Sequence, residues 1–224
     1  PIEQLAQHLL AGASDTGSLT TQQGTAKRSG GQQTARRILG AALQLLLTAE
    51  HMSFSLRAVA SAAGVKLANV QYYYPSKDAL LKSVCDAIYE SYEAGYGASA
   101  AQGETTEQTL ERVLRYQIDD IQQPRTRRFF MRLWLLLEES NDFSGALLGD
   151  LYRLDIQSLQ QLIQNANAPL GVHEANTRAT LVAAMIEGSM VVSPASPLSD
   201  DLKESLASAC LTIALAPPSS VPGG

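Results

Sequence analysis

The stretch from Phe54 to Leu81 reads FSLRAVASAAGVKLANVQYYYPSKDALL. Ser55 stands where a helix would begin, and its hydroxyl suits the capping of a free backbone N–H. Leu56, Val59, Ala60 and Ala63 then recur at helical spacing and form one apolar stripe. The alanines at 58, 60, 62 and 63 keep this helix slim, so that a second helix can cross it closely. Gly64 follows, a residue that enters positive φ at low cost. Val65 is expected to plug the corner. A second short helix is predicted from about Lys66 to Tyr74, stopped by Pro75. Ser76 is placed to cap a third, longer helix that starts at Lys77. Two short helices across a tight turn form a helix-turn-helix pattern.

The second helix has an uncommon surface. Val70 and Tyr74 are four residues apart and are expected to face inward, which leaves Lys66, Asn69, Tyr72 and Tyr73 outside and Gln71 at the border. Tyrosine hydroxyls and lysine suit phosphate oxygens, while Asn and Gln can pair with adenine edges in the major groove. The pattern therefore points to double-stranded DNA, with Ser55, Arg57, Lys66, Leu67, Ala68, Asn69, Gln71, Tyr72, Tyr73 and Lys77 as candidate contacts. The competing reading is a small helical hairpin whose tyrosines pack on a neighbouring domain.

Three fragments, ARRILGAALQLLL (35–47), SLRAVASAAGV (55–65) and NVQYYYPSKDALL (69–81), together resemble the DNA-binding domain of the tetracycline-repressor (TetR) family of bacterial transcriptional regulators. The shared features are an alanine-rich first helix, an A-x-x-A-G-V turn at 60–65, an aromatic-rich recognition helix and a short entry to helix four at 74–80. Lys66 replaces the family's usual capping Ser, Val70-Gln71 replaces the common Leu-Tyr pair, and Tyr74 replaces a Phe. These departures bear on which operator is read. RRFFMRLWLLLEESND (127–142) also resembles a core helix of the family, as does the Ile186-Glu187-Gly188 step. The resemblance implies an all-α protein: an N-terminal three-helix helix-turn-helix domain, then a larger helical domain that binds a ligand and dimerises.

Charge is divided along the chain. The 224 residues carry a net charge of −5, yet residues 25–82 hold eight Lys or Arg against two acids, while residues 83–224 hold nine against eighteen. The basic segment contains the helix-turn-helix, where phosphates would lie. No signal peptide or membrane-spanning stretch is apparent, so a cytoplasmic location is expected. Cys85 and Cys210 are isolated and read as buried apolar residues, with redox sensing as the lesser alternative.

The expected organisation is a mobile N-terminal extension at 1–33, the DNA-binding domain at 34–82, the effector-binding and dimerisation domain at 83–216, and a flexible tail at 217–224. Ile2 to Ala11 can form a loose amphipathic helix, and Lys27 and Arg28 either reach DNA as an arm or are incidental charge. Helix one is predicted from Thr34 to Thr48, with Ile38, Ala41, Ala42, Leu45 and Leu46 as its core stripe and Arg36 and Arg37 near its start. Further helices are predicted from Lys77 to about the glycines at 95 and 97, and over 105–122, 124–140, 143–165, 174–192 and 199–215. The 124–140 helix is apolar around most of its circumference and is expected at the centre of its domain.

The resemblance implies that 174–192 and 199–215 form a four-helix bundle with a second copy of the chain. Val182, Ala183, Met185, Ile186, Met190 and Val191 are the candidate surface, the alternative being ordinary internal core. Tyr116, Phe129, Phe130, Met131, Trp134, Tyr152 and Met185 are candidates for an effector pocket, with the same alternative. Arg112, Arg115, Arg127, Arg128, Arg132 and Glu138 are candidate polar anchors. An enzyme is not expected, nor a cofactor or metal. His8, His51 and His173 lack ligand spacing, and nucleophile elbow, phosphate loop and paired-cysteine motifs are absent. The implied function is a homodimeric repressor released from a palindromic operator by a small molecule. The alternative is a regulator that recruits a protein partner and has no effector.

Overall fold

The computed structural model describes residues 2–11, 23–48, 54–98, 102–139, 146–192 and 198–218. All regular structure among them is helical, in ten helices with no strand. The chain divides into two compact units, Pro1–Tyr92 with Arg128–Leu148, and Glu93–Arg127 with Gly149–Gly224.

The first unit begins with α1 (Ile2–Ala11), which packs on α2 (Gln23–Thr48). Ile2 and Ala6 are fully buried. Gly40 of α2 permits this approach, because a Cβ there would stand 3.1 Å from Leu9 Cβ and from Leu10 Cγ. The N-terminal extension thus differs from its expected form. Its first ten helical residues are docked, and α2 starts at Gln23 rather than Thr34, so the backbone at Lys27 and Arg28 is helical. The rest of the extension, 12–22, lies outside the described residues.

Three more helices complete this unit's framework: α3 (Leu56–Ala62), α4 (Leu67–Tyr73) and most of α5 (Lys77–Ala98). The predicted α2 stripe holds for Ile38, Ala41, Ala42 and Leu46, which are buried together with Leu43 and Leu47. Residues 128–138 of α7 (Pro124–Glu138) also belong to this unit. Its Phe129, Phe130, Leu133, Leu136 and Leu137 are buried, but Leu135 is 55% exposed. This helix, expected at the centre of its domain, therefore buries one face and leaves Leu135 open within the chain. Arg132 of α7 donates from its guanidinium to the Leu46 carbonyl at 2.7 Å. That carbonyl is among the last four of α2, which have no partner inside their own helix.

The second unit contains α6 (Thr106–Ile121), most of α8 (Ala146–Ala166), α9 (Val172–Val192) and α10 (Asp200–Leu215). Thr105 and Gln108 form a reciprocal capping box at the start of α6. Leu110, Val113, Leu114, Gln117, Ile118 and Ile121 are all buried, as their spacing predicts. Gln122 joins three segments: its Nε2 donates to Ser189 Oγ at 3.0 Å, and its Oε1 accepts from the Leu198 N–H at 3.2 Å. Arg178 of α9 closes the end of α10 by donating to the carbonyls of Ala214, Ala216 and Pro217, with Glu174 as its counter-ion at 2.6 Å.

α9 packs against α6 and α10, and this settles which of its faces is core. Val182, Ala183, Ile186 and Met190 are buried in the chain's own interior, which is the internal-core alternative for those four, while Met185 is half-buried and Val191 exposed. The apolar residues that α9 leaves outward are Val172 at its start and Leu181, Ala184, Val191 and Val192 further along. Cys85 and Cys210 are buried, and burial pushes their thiols up to about 12 and about 11. Both are protonated near neutral pH and so are poor nucleophiles.

Candidate nucleic-acid interface

The helix-turn-helix is fixed locally before it is fixed by packing. Ser55 has extended backbone and its Oγ accepts from the Ala58 N–H at 3.1 Å, a cap worth about 1 kcal/mol. α3 ends at Ala62, and Gly64 then takes φ +62°, a left-handed conformation that glycine adopts without a Cβ penalty. The Val65 N–H returns to the Ala60 carbonyl at 3.0 Å and closes the turn. Lys66 is the N-cap of α4 and supplies no side-chain bond, as its replacement of the usual Ser foretells. Ser76 caps α5, accepting from the Ala79 N–H at 3.0 Å.

Two side chains seat α4. Val70 is fully buried and Tyr74 nearly so. The Tyr74 hydroxyl donates to the Ala35 carbonyl of α2 at 3.2 Å, and burial raises its pKa. With these two turned inward, the helix has one possible rotation. Lys66, Ala68, Asn69, Gln71 and Tyr72 are exposed, and Leu67 and Tyr73 are half-buried. Tyr72 is 80% exposed and meets Tyr73 edge to face, with ring centroids 5.0 Å apart. Tyr73 leans toward α2, where its hydroxyl lies 3.4 Å from the place a Gly31 Cβ would occupy. The tyrosines are thus not buried on a neighbouring domain: one is open to water and the other is only partly covered.

Arg57 and Ser55 are exposed on α3 and its cap, and Lys77 is half-exposed at the start of α5. Among the described residues, Arg36, Arg57, Lys66 and Lys77 form no ion pair. Several cations elsewhere are paired, as in Arg112 with Glu104 and Arg115 with Glu111 and Glu204. The ten candidate DNA contacts therefore lie on one short hairpin and its two flanks.

The effector candidates fare differently. Phe130, Met131 and Trp134 belong to the first unit, and Tyr116, Tyr152 and Met185 to the second. Phe129 and Phe130 are buried core, stacked edge to face at 5.6 Å. The candidate anchors Arg112, Arg115 and Arg132 are engaged by Glu104, by Glu111 and Glu204, and by the Leu46 carbonyl. What the sequence reading missed is a set of acids: Asp155 and Glu187 in the interior of the second unit, beside Tyr152, Gln117 and Tyr96. Asp155 stands on the i, i+4 row Leu151, Asp155, Leu159, Ile163, three of whose members are buried apolar residues, and that was the available signal.

This arrangement has known counterparts. A TetR transcription regulator from Haloarcula marismortui ATCC 43049 superposes with a TM-score of 0.61 at 16% identity, over 82% of this chain and 97% of its own. A TetR transcriptional regulator from Legionella pneumophila gives 0.59 at 14%, over 80% and 94%. The fold is that of the TetR-type regulators. A TetR-family member from Streptomyces coelicolor A3 has it too, with a TM-score of 0.58 at 17% identity, over 79% of this chain and 97% of its own. In sequence, the chain is 29% identical over 192 residues to an uncharacterized HTH-type transcriptional regulator in the dhlA 5' region of Xanthobacter autotrophicus, covering 82% of this chain and 92% of that protein. No family model matches the chain. None of these four relatives is described as an enzyme. Among the described residues, no TetR-fold helix here is long and apolar enough to cross a membrane.

Proposed function

We propose that the chain is a sequence-specific transcriptional regulator that binds a palindromic operator as a homodimer and is released by a small molecule. The observation that carries this reading is the outward face of α4, where Lys66, Asn69, Gln71 and Tyr72 stand exposed on a helix whose rotation is set by Val70 and Tyr74. Lys66, Lys77 and Tyr73 take phosphates, and Asn69 and Gln71 read base edges. The relative from Xanthobacter, a regulator of helix-turn-helix type, supports the same reading.

Two half-sites about one DNA turn apart, roughly 34–36 Å, need two copies of α4 on one rigid assembly. The outward apolar row Leu181, Ala184, Val191 and Val192 on α9, together with exposed Leu202 on α10, suits a second copy of the same helices. Release follows if a ligand prefers an arrangement in which the two α4 helices no longer match that spacing, and the ligand acts only through this difference in affinity. Selection of bound duplexes from a random pool tests the reading. A palindrome bound by two chains is expected. Binding without sequence enrichment, lost as salt rises, would reduce the interface to non-specific electrostatics.

A further inference from the structure

Among the described residues, the interior of the second unit holds a buried acceptor without a donor. Gln117 sits on the buried row of α6 and is only 7% exposed. Its Nε2 donates to the Tyr96 hydroxyl on α5 at 2.7 Å and to Asp155 Oδ1 on α8 at 2.9 Å. The amide hydrogens are thereby used, and Gln117 Oε1 is left without a partner and out of reach of water. One turn before Asp155, the Tyr152 hydroxyl donates to Glu187 Oε2 on α9 at 3.3 Å. Segments of four helices within this unit, the end of α5 with Tyr96 among them, therefore converge on two carboxyls and an unanswered carbonyl.

Among the described residues, neither Asp155 nor Glu187 has a cationic partner. The cations of the surrounding helices are engaged elsewhere: Arg112 with Glu104 and the Tyr96 carbonyl, Arg115 with Glu111 and Glu204, Arg153 with Asp150, and Arg178 with Glu174. The charges that act on them, Glu93 on Asp155 and Asp155 on Glu187, are of the same sign. Burial raises Asp155 to about 6 and Glu187 to about 7, with repulsion adding to it. Both side chains nevertheless keep part of their surface accessible, so the cluster they form is not sealed in the core. Aromatic rings flank it. Tyr116 meets Tyr96 edge to face at 5.5 Å, and its hydroxyl fills the space where a Gly95 Cβ would collide with it.

Buried acceptors without donors are costly, and two buried acids without a cation more so. A bound molecule that removes both costs must bring N–H donors and a positive charge. Tyrosine faces add to the attraction for a cation. We infer that this side-chain cluster among α5, α6, α8 and α9 binds a protonated amine on an apolar or aromatic body, with Asp155, Glu187 and Gln117 Oε1 accepting its N–H bonds and Tyr96, Tyr116 and Tyr152 around it. This rests on the effector reading above and supplies its chemical class.

The test is calorimetric titration of the full chain near neutral pH with phenylbutylamine, phenylbutanol and phenylbutyrate, which share one body and differ in the charge of the head. The amine binds roughly tenfold or more tighter than the alcohol, and the acid is weakest. Glu187→Gln and Asp155→Asn each reduce amine affinity by about tenfold or more and leave the alcohol unchanged. Both substitutions remove a buried charge of nearly the same shape, and thermal unfolding confirms that the variants fold. Equal affinity for amine and alcohol, indifference to both substitutions, or no amine binding at millimolar concentration overturns the inference. Duplex release separates the two proposals. Release by the alcohol or the acid but not the amine overturns the amine class and leaves the effector reading standing. Carboxyl-dependent amine binding with no change in DNA affinity supports the site and overturns the effector reading.

Discussion

The outward face of α4 and the interior of the second unit are both polar where an ordinary helical protein would be bland, but in opposite senses. On α4 the groups are exposed, mostly donors, and cationic at Lys66. Inside the second unit they are buried, mostly acceptors, and acidic at Asp155 and Glu187. Water satisfies the first set at no cost, so its arrangement implies a partner only through its chemistry and its rigid seating. Water reaches the second set poorly, so the arrangement carries a free-energy cost that a partner would relieve. The exposed surface suits a large polyanion, and the buried one a small cation.

The comparison breaks most severely at the seat of α4. Val70→Asp puts a carboxylate into a fully buried position and is expected to cost several kcal/mol and abolish DNA binding, measured by urea denaturation and duplex titration. Retained binding would mean that the rotation of α4 does not matter. Next in size is the acid pair. Raised carboxyl pKa values mean that the folded chain holds protons the unfolded chain has released, so stability falls as pH rises from about 4 to about 7 and levels above that. Glu187→Gln removes much of that slope and stabilises the protein above neutral pH by on the order of 1–3 kcal/mol, read as Tm against pH. An unchanged profile would show that Glu187 is well solvated.

Base reading follows at about the same scale. Asn69→Ala or Gln71→Ala should cost ~1–3 kcal/mol on the selected operator for each lost bidentate contact, and little on unrelated duplexes. Smallest is the phosphate set. Lys77→Ala and Tyr73→Ala should weaken binding to every sequence alike, and the lysine change should lower the salt slope by about one. A change in sequence preference instead would exchange the roles assigned to these residues.

Legibility differed along the same line. The hairpin could be read from sequence because each device is local: the Ser55 cap, the Ala60–Val65 turn, the Val70–Tyr74 pair and the Ser76 cap all lie within a few residues of what they act on. The buried rows of α6 were legible by spacing for the same reason. What spacing did not settle was which side of an apolar helix meets its neighbours. α9 has apolar residues on most of its circumference, so its core face, Val182, Ala183, Ile186 and Met190, could not be separated from its outer row before α6 and α10 were in place. The docking of α1 depends on Gly40, far along the chain, and was hidden likewise. Asp155 was visible as an acid on a buried row, but its contact with Gln117, and the contact of Tyr152 with Glu187 on α9, arise only from the tertiary fold.

The most direct test of the central claim is a pair of selections from one random duplex pool at one salt concentration, with the wild-type chain and with Gln71→Ala. The account predicts a palindrome for the wild type, and for the variant the same half-site spacing with information lost at symmetric positions in both halves. An identical consensus from both chains, or no consensus from either, would contradict it.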